Sequence, residues 1–451
     1  MKIFSDYFDV FPRIVPADQV SEIRITPRAA HAELPPVEDI EIIYHPVDNL
    51  NEAGSHSPEG EAGSVRSAEI RDGSLFLRIY FAGEQEHNIT LNIRSMPARA
   101  NSSSDWIPHS ENNIRLGIYS LKPDLMALRP YRGDFHIHTV RSDGHEAPEY
   151  VAARYREEGF DFIAVTDHRL YDPSLRAIEY WKKLKNGFRL FPGEEIHTPD
   201  NPVHIVNFGG SFSVHALAVN APERYRREVG EILRSYPEGF IPENENGFPV
   251  ASSEWVFDRI RESGGLAMFC HPYWQTHKYE ISTFVTDAII KRRKFDIFEV
   301  IGGFYDDQWR SNNCQIARYY QEVAQGNGFP VAGVSDSHGT DRDQLAFRYY
   351  TVVLAKSNEL PDLIDAMRNG MSAGVEVMYN KIPNVVADFR LVRYISFLVQ
   401  YYFPAQTRLC AVEGQLMQEI IAGSHDAETA LDALGNRVEE YRRKSFGDGG
   451  K

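Results

Sequence analysis

Cysteine is scarce in this 451-residue chain. Cys270, Cys314 and Cys410 are far apart and odd in number. No disulfide framework follows, and a reducing compartment is the simpler reading. Long apolar runs are lacking too. The nearest, Leu391 to Phe403, is short and broken by Arg393 and Gln400, so no bilayer span is expected. The opening MKIFSDYFDVFPRIV has acidic residues and a proline where a secretory leader needs an apolar core, and a cytoplasmic protein is expected. Positive charge is in deficit: 48 Lys and Arg stand against 64 Asp and Glu, a formal net charge of −16. Nucleic acid and anionic membranes need a basic face, so neither is an expected partner. An anionic small molecule stays open, because bound divalent cations reverse the local field. Phosphate-loop spacing and a GxSxG elbow are missing, and Gly209–Gly210 and Gly302–Gly303 read as turns.

What is present is an ordinary globular balance, with 42% hydrophobic and 25% charged residues. Residues 1–130 read as a small β-rich, sandwich-like domain. Its β-prone runs include Ile40–Tyr44, Ser74–Phe81, Asn88–Ile93 and Ile114–Ser120, and Asn51–Gly63 and Ala98–Asn113 are turn-rich. From Gly133 the pattern becomes α/β. Short apolar strands at Asp134–His138, Phe162–Thr166, Arg189–Pro192, His204–Phe208, Leu266–Cys270, Ile297–Ile301, Val331–Val334 and Tyr350–Leu354 alternate with amphipathic helices. This alternation predicts a parallel sheet that closes, or nearly closes, into a barrel over residues 131–380. Tyr236–Val250 is Gly-, Pro- and Asn-rich and reads as a lid or a plain surface excursion. Residues 381–451 read as a helical extension that packs on the barrel or on another subunit, so a homo-oligomer stays open.

The chemistry gathers at the strand ends. His136 and His138 end the first strand, Asp167 and His168 the second, and Glu194 and Glu195 follow the third. His204 opens the fourth, His271 ends the fifth, and Asp336 and His338 follow the seventh. In a parallel barrel those ends form one rim, which carries the active site. Alternation along a strand puts His136 and His138 on one face, within reach of one ion. Imidazoles and carboxylates suit zinc, manganese and iron alike. A carboxylate has two oxygens, so a single Glu can bridge two metals. His31, His45, His56, His87, His109, His215 and His425 read as structural or exposed, and His145, His197 and His277 fall outside the ligand set. Cys270 reads as a buried structural cysteine.

GDFHIHTVRSDG, FIAVTDH, PGEEI, HIVNFGG, FCHP and GVSDSHG resemble, in that order, the motifs of the PHP (polymerase and histidinol phosphatase) superfamily. The resemblance covers about residues 132 to 355. The lead-in LRPYRGDFHIHT after a β-rich unit further resembles the carbaryl-hydrolase-like metallohydrolase branch. The resemblance implies a distorted (β/α)7-type barrel holding two or three divalent ions. It places the first on His136, His138 and Asp336. Glu195, preferred over Glu194 by the family spacing, bridges to a second on His204 and His271. A third falls to Asp143, His168 and His338. As part of an SDG turn, Asp143 has loop stabilisation as its alternative role. Asp167 is a candidate to orient His168. Glu299 faces the rim without an assigned role.

The expected activity is metal-dependent hydrolysis, with His168, Glu195, Asp336 and His338 as the catalytic set and a metal-bridging hydroxide as the nucleophile. The preferred substrate is a small phosphoester. Carboxyl-ester, carbamate or amide hydrolysis is the alternative. A non-catalytic metal-binding interaction module is the alternative of another class. Arg141 and Arg348 are candidates to hold a phosphate.

Overall fold

A computed structural model describes residues 7–28, 32–48, 65–93, 113–341, 344–377 and 382–448. The turn-rich stretch Asn51–Gly63, most of Ala98–Asn113, and His31, His56 and His109 lie outside the described residues. The chain divides into two compact units. One contains the described residues up to Leu128, Phe397–Tyr402 and the described residues from Val438. The other contains Arg129–Ser396 and Phe403–Arg437.

The first unit is β-rich. Its strands are β1 (Phe8–Phe11), β2 (Ile14–Pro16), β3 (Gln19–Pro27), β4 (Ile40–Pro46), β5 (Val65–Arg71), β6 (Ser74–Phe81), β7 (Gln85–Ile93) and β8 (Asn113–Leu121). They form two four-stranded sheets, ordered β1–β3–β6–β5 and β2–β8–β7–β4. Inward positions alternate along β7, as the period of a half-buried strand requires. Leu75, Leu77 and Ile79 of one sheet share a core with Ile89, Leu91, Leu116 and Ile118 of the other. His87 is buried in this unit between the Tyr44 and Ser120 hydroxyls, each 2.7 Å away.

The second unit is mixed α/β. Its strands are β9 (Arg129–Asp134), β10 (Phe162–Ala164), β11 (Arg189–Phe191), β12 (Gly193–Ile196), β13 (Ile205–Phe208), β14 (Leu266–Phe269), β15 (Ile297–Gly302), β16 (Val331–Val334), β17 (Tyr349–Ala355), β18 (Ser372–Val377) and β19 (Pro383–Val386). One sheet runs β11–β10–β9–β17–β18–β19 and the other β12–β13–β14–β15–β16. Isolated parallel bridges join Ile137 to Ser337 and His168 to Glu195, beyond the ends of the regular strands.

The expectation of parallel pairing throughout is corrected here. β9–β10–β11 and β14–β15–β16 are parallel, but β13 is antiparallel to both β12 and β14, and β17 is antiparallel to β9. For β12 and β13 the reason is connection length. Only residues 197–204 join β12 to β13, too few for the helical crossover that a parallel pair needs. Pro192, which has no N–H to give, separates β11 from β12, while its carbonyl accepts from the Gly209 N–H at 2.7 Å.

Helices Pro148–Glu157, Asp172–Trp181, Pro222–Arg234, Phe248–Glu262, Thr283–Arg292 and Trp309–Ala324 lie between the strands. Pro249 sits in the first turn of Phe248–Glu262, where a missing N–H costs nothing, so the helix begins inside the stretch read as a loop. Tyr236 in that stretch donates to Glu254 at 3.0 Å, packing the segment onto its own helix. Among the described residues no helix is long and apolar enough to cross a membrane.

Helix Phe403–Ile421 packs on Pro148–Glu157 through a buried charge pair. Arg156 Nε donates to Glu413 at 2.8 Å, and Asn186 Nδ2 donates to the same carboxylate at 2.7 Å. A Cβ at Gly414 would stand 2.3 Å from the Glu157 nitrogen, so the close helix approach requires glycine there. Removing one partner of a buried pair strands the other charge. Glu413→Ala is therefore expected to cost about 3–5 kcal/mol in denaturant unfolding. Glu419→Ala, on the exposed side of the same helix, should stay within about 0.5 kcal/mol of the parent. A Glu413→Ala cost no larger than the control would remove the pair from the account.

Candidate metal centre

The regular strand β9 stops at Asp134, and the chain continues extended through His136, Ile137 and His138. Ile137 bridges to Ser337, and the His138 N–H donates to the Ser337 carbonyl at 2.8 Å. Alternation keeps both imidazoles on one side. Beneath them, buried Asp134 accepts from the backbone N–H groups of His136 and Ser335, each at 3.2 Å, and from the Tyr155 hydroxyl at 2.9 Å. One carboxyl thus ties the HxH segment to the segment that carries Asp336. Burial outweighs these hydrogen bonds and pushes its pKa up to about 6.

Glu195, on β12, is fully buried at the centre. Its oxygens sort the surrounding imidazoles into two groups. Oε1 lies 2.8 Å from His204 Nδ1 and 3.4 Å from His271 Nε2. Oε2 lies 2.5 Å from His168 Nδ1, 3.4 Å from His138 Nε2, and 3.5 Å from both His136 Nε2 and His197 Nε2. Asp336 closes the other side, with Oδ1 2.9 Å from His138 Nε2 and 3.3 Å from His136 Nε2. Asp336 and His271 have φ of 49° and 25°, positive values that side-chain-bearing residues seldom adopt, so backbone strain is concentrated at two of the proposed ligands. Gly303 makes room: a Cβ there would lie 2.9 Å from the Asp336 Cβ.

A third grouping lies at the mouth. Asp143 Oδ2 is 3.4 Å from His168 Nε2, and its Oδ1 is 3.5 Å from His338 Nε2. His338 Nδ1 lies 2.9 Å from the Asp336 carbonyl, which can only accept, so Nδ1 carries a proton and Nε2 is the ring nitrogen that faces Asp143. All nine residues expected from the sequence therefore converge. His204 does so because β13 is reversed. In an antiparallel strand the start, not the end, reaches the rim formed by its parallel neighbours.

Neighbouring candidates separate by direction. Glu194 turns away and accepts from Ser213 Oγ at 2.6 Å and the Val214 N–H at 2.5 Å, capping helix Val214–Asn220. Asp167 does not orient His168. It accepts from Thr139 N and Oγ1 at 2.8 and 2.7 Å and from Ser142 Oγ at 2.6 Å, fixing the loop that carries Asp143. Glu299 accepts from the His271 N–H at 2.9 Å and lies 4.0 Å from His136 Nδ1, backing two of the imidazoles. Cys270 is free and fully buried. Arg348 is taken by Asp306 and Glu376, and Arg141 lies 3.5 Å from Asp172. The His145 N–H donates to the His338 carbonyl at 2.8 Å, and His277 is exposed.

His197 is the residue the sequence reading left out. Its Nε2 lies 3.0 Å from His168 Nδ1, and its ring stacks on His204 with centroids 3.8 Å apart. The signal was its position two residues beyond Glu195, on the same face of an extended strand.

The donor set fits divalent cations. His136 Nε2, His138 Nδ1, His204 Nδ1 and both Glu195 oxygens are buried without a hydrogen-bond partner among the described residues. Buried polar atoms are almost always satisfied, so this many at one point marks a place for ligands other than protein. Groups of three or four ligand atoms lie within 4.8 Å of one another at His138, Asp143, His168 and His338; at His136, His138 and Glu195; and at His136, His271 and Asp336. A cavity of about 300 Å³ opens above, with Trp274, Tyr305 and Gln308 in its wall and no lysine or arginine among its described lining residues.

No family model and no curated protein matches the chain. Three solved structures are similar to it. The first is a two-domain Bacteroides vulgatus protein described, by prediction, as containing a PHP-like metal-dependent phosphoesterase. It is 20% identical over 56% of this chain and 66% of its own, with a TM-score of 0.39. The second, from Bifidobacterium adolescentis, is assigned as a metal-dependent phosphoesterase. It is 21% identical over 48% of this chain and 91% of its own, with a TM-score of 0.32. The third is an amidohydrolase from Chromobacterium violaceum with bound sulfate and no metal. It is 17% identical over 47% of this chain and 89% of its own, with a TM-score of 0.29.

The electrostatics give the first test of this centre. Burial disfavours a charge on His168, but Glu195, then Asp143 and Asp336, outweigh it and raise the imidazole to about 9. His136 and His271 are raised too, with Asp336 and Glu195 overcoming burial, whereas burial takes His204 down to about 4. Without metal, the cluster therefore holds protons at neutral pH. Metal needs the neutral ring, so loading should release at least one proton per chain at pH 7, and affinity should rise as pH climbs toward 9. Zinc or manganese titration calorimetry in buffers of different ionisation enthalpy reads the release directly. Uptake with no proton release would contradict this charge balance.

Proposed function

We propose that the chain is a metal-dependent hydrolase of the PHP type, with a phosphoester as its substrate class. The observation that carries the metal reading is the division at Glu195: two imidazoles on one oxygen and four on the other. A carboxylate so placed would hold one divalent ion at each oxygen. The motif series in DFHIHT, AVTDH, PGEEI, FCHP and GVSDSH supports the phosphoester class. In this reading the second unit is a distorted (β/α)7-type barrel, supported by the Ile137–Ser337 and His168–Glu195 bridges, which join the chain just beyond β9 and β10 of one sheet to the ends of β16 and β12, the two edge strands of the other. The facing sheets of the first unit are read as a β-sandwich, and the helices after residue 380 as an extension of both. Few cysteines and the acidic charge support a reducing, cytoplasmic setting.

His136, His138 and Asp336 would hold one ion, Glu195 with His204 and His271 a second, and Asp143, His168 and His338 a third. When bound, divalent ions supply Lewis acidity and an activated water nucleophile. The chain's own residues do the rest. Asp134 and Glu299 fix the backbone of the imidazole-bearing segments through the N–H groups of His136 and His271. His338 keeps its proton on Nδ1, against a carbonyl. The 3.0 Å contact between His168 Nδ1 and His197 Nε2 offers a route for a proton away from the cluster. Phe135, Phe208 and Cys270 belong to the packed core of this unit, whose close packing leaves no room for bulk water behind the site.

The absence of lysine and arginine from the described cavity wall favours a second reading, attack on a carbonyl ester, carbamate or amide, where no dianion must be held. One experiment separates the two and tests the enzyme claim. Metal-loaded protein is offered p-nitrophenyl phosphate, bis(p-nitrophenyl) phosphate and p-nitrophenyl acetate, each with and without chelator. Chelator-sensitive turnover of a phosphate is expected, and His136→Ala or His271→Ala should lower it by on the order of 10²–10³-fold or more. Turnover of the acetate alone would move the assignment to carbonyl chemistry. Turnover that survives both chelation and these substitutions would remove the metal centre from the reaction.

A further inference from the structure

A second chamber of about 650 Å³ lies against the metal centre and shares His197 and His204 with its cavity. Its chemistry is different. The metal-side cavity has aromatic walls and no lysine or arginine among its described lining residues. The second chamber is lined by Thr198, Asn201, His215 and one arginine, Arg169.

Arg169 directly follows His168, and its backbone is held. Its N–H donates to the Glu195 carbonyl at 2.8 Å, and its φ of 63° sets the chain in the left-handed region. A side chain bearing a Cβ pays for that conformation, so it needs a reason to persist. The guanidinium has no carboxylate partner among the described residues. Nearby arginines do: Arg141 lies against Asp172, and Arg226 lies against Asp200 at 3.5 Å. Asp200 also lines the chamber, so its charge is partly drawn off by Arg226. Burial first, and then the charge of Arg169, lowers the pKa of His215, and its buried Nδ1 has no hydrogen-bond partner among the described residues. A guanidinium with no carboxylate partner, on a held backbone and in the same wall as the Thr198 hydroxyl, suits an oxyanion.

We propose that this chamber binds a second oxyanion of the substrate, a carboxylate or phosphate that is not the group hydrolysed, with Arg169 as its principal contact. The inference rests on the hydrolase reading, since it supposes that the reacting group occupies the metal centre. The substrate is then a bifunctional anion: one end meets the metal ligands, and the other passes His197 and His204 to reach Arg169. It also supplies the protein cation that the metal-side cavity lacks.

The test is equilibrium binding to the metal-loaded full-length chain by calorimetry, using acetate and the linear dicarboxylates from succinate to pimelate as probes. Metal content is measured before and after each titration. At least one dicarboxylate should bind roughly tenfold or more tightly than acetate, the ratio expected for one added charge-assisted contact. In Arg169→Ala the advantage should fall to within about twofold with metal content unchanged, and Arg169→Lys should keep part of it. A metal-loaded parent that prefers no dicarboxylate, or a preference that survives in Arg169→Ala, would overturn the inference and leave the hydrolase reading standing. A parent that retains no metal would overturn the hydrolase reading and the inference with it.

Discussion

One buried carboxylate organises this unit. Glu195 has no solvent exposure, yet six imidazoles stand within 3.5 Å of its two oxygens. A charge removed from water at such a point is costly unless it is matched. The surrounding histidines match it, holding Glu195 far below the usual carboxylate range despite its burial. Those same histidines are kept close by supports that leave their ligand atoms free. Asp134, Glu299 and the Asp336 carbonyl each engage a backbone N–H or the far ring nitrogen of a site residue. The inner layer suits divalent ions, and these supports hold it in register.

The strand order makes this convergence possible. Parallel strands bring their C-terminal ends to one rim, which accounts for His136, His138, His168, His271, Asp336 and His338. Glu195 and His204 arrive by a different device. A break at Pro192 starts a new strand at Gly193, and the short return after His197 reverses β13, so His204 reaches the rim from the strand's beginning. The hairpin faces two cavities, with the aromatic-walled metal cavity on one side and the Arg169 chamber on the other, and His197 and His204 form the wall between them.

Much of the site was legible in the sequence, for a physical reason: ligands at strand ends leave short motifs with fixed spacing. HxH, DH and DSH each put two site residues in one readable window. The limits are equally physical. Glu194 and Glu195 look alike as letters, and only the alternation of β12 sends one to the helix cap and the other to the centre. Asp167 looked like a partner for His168, but its oxygens are spent on Thr139 and Ser142, because the loop there needs acceptors more than the imidazole does. His197 was passed over because it belongs to no motif, although period-two counting from Glu195 points to it. In the fold, the start of helix Phe248–Glu262 lay inside the stretch Tyr236–Val250 that reads as a lid or surface excursion. There the Gly, Pro and Asn before the helix masked a first turn in which proline is welcome. The reversal of β13 against β12 was hidden because it follows from the short connection between them, which the apolar pattern does not encode.

The central claim is that the two oxygens of Glu195 reach two different metal ions. Anomalous diffraction from crystals loaded with zinc or manganese, collected on both sides of the metal edge, tests it directly. The account predicts at least two peaks flanking Glu195, one toward His136, His138 and Asp336 and the other toward His204 and His271. A single peak on one side, or occupied metal sites that leave Glu195 without a metal contact, would contradict it.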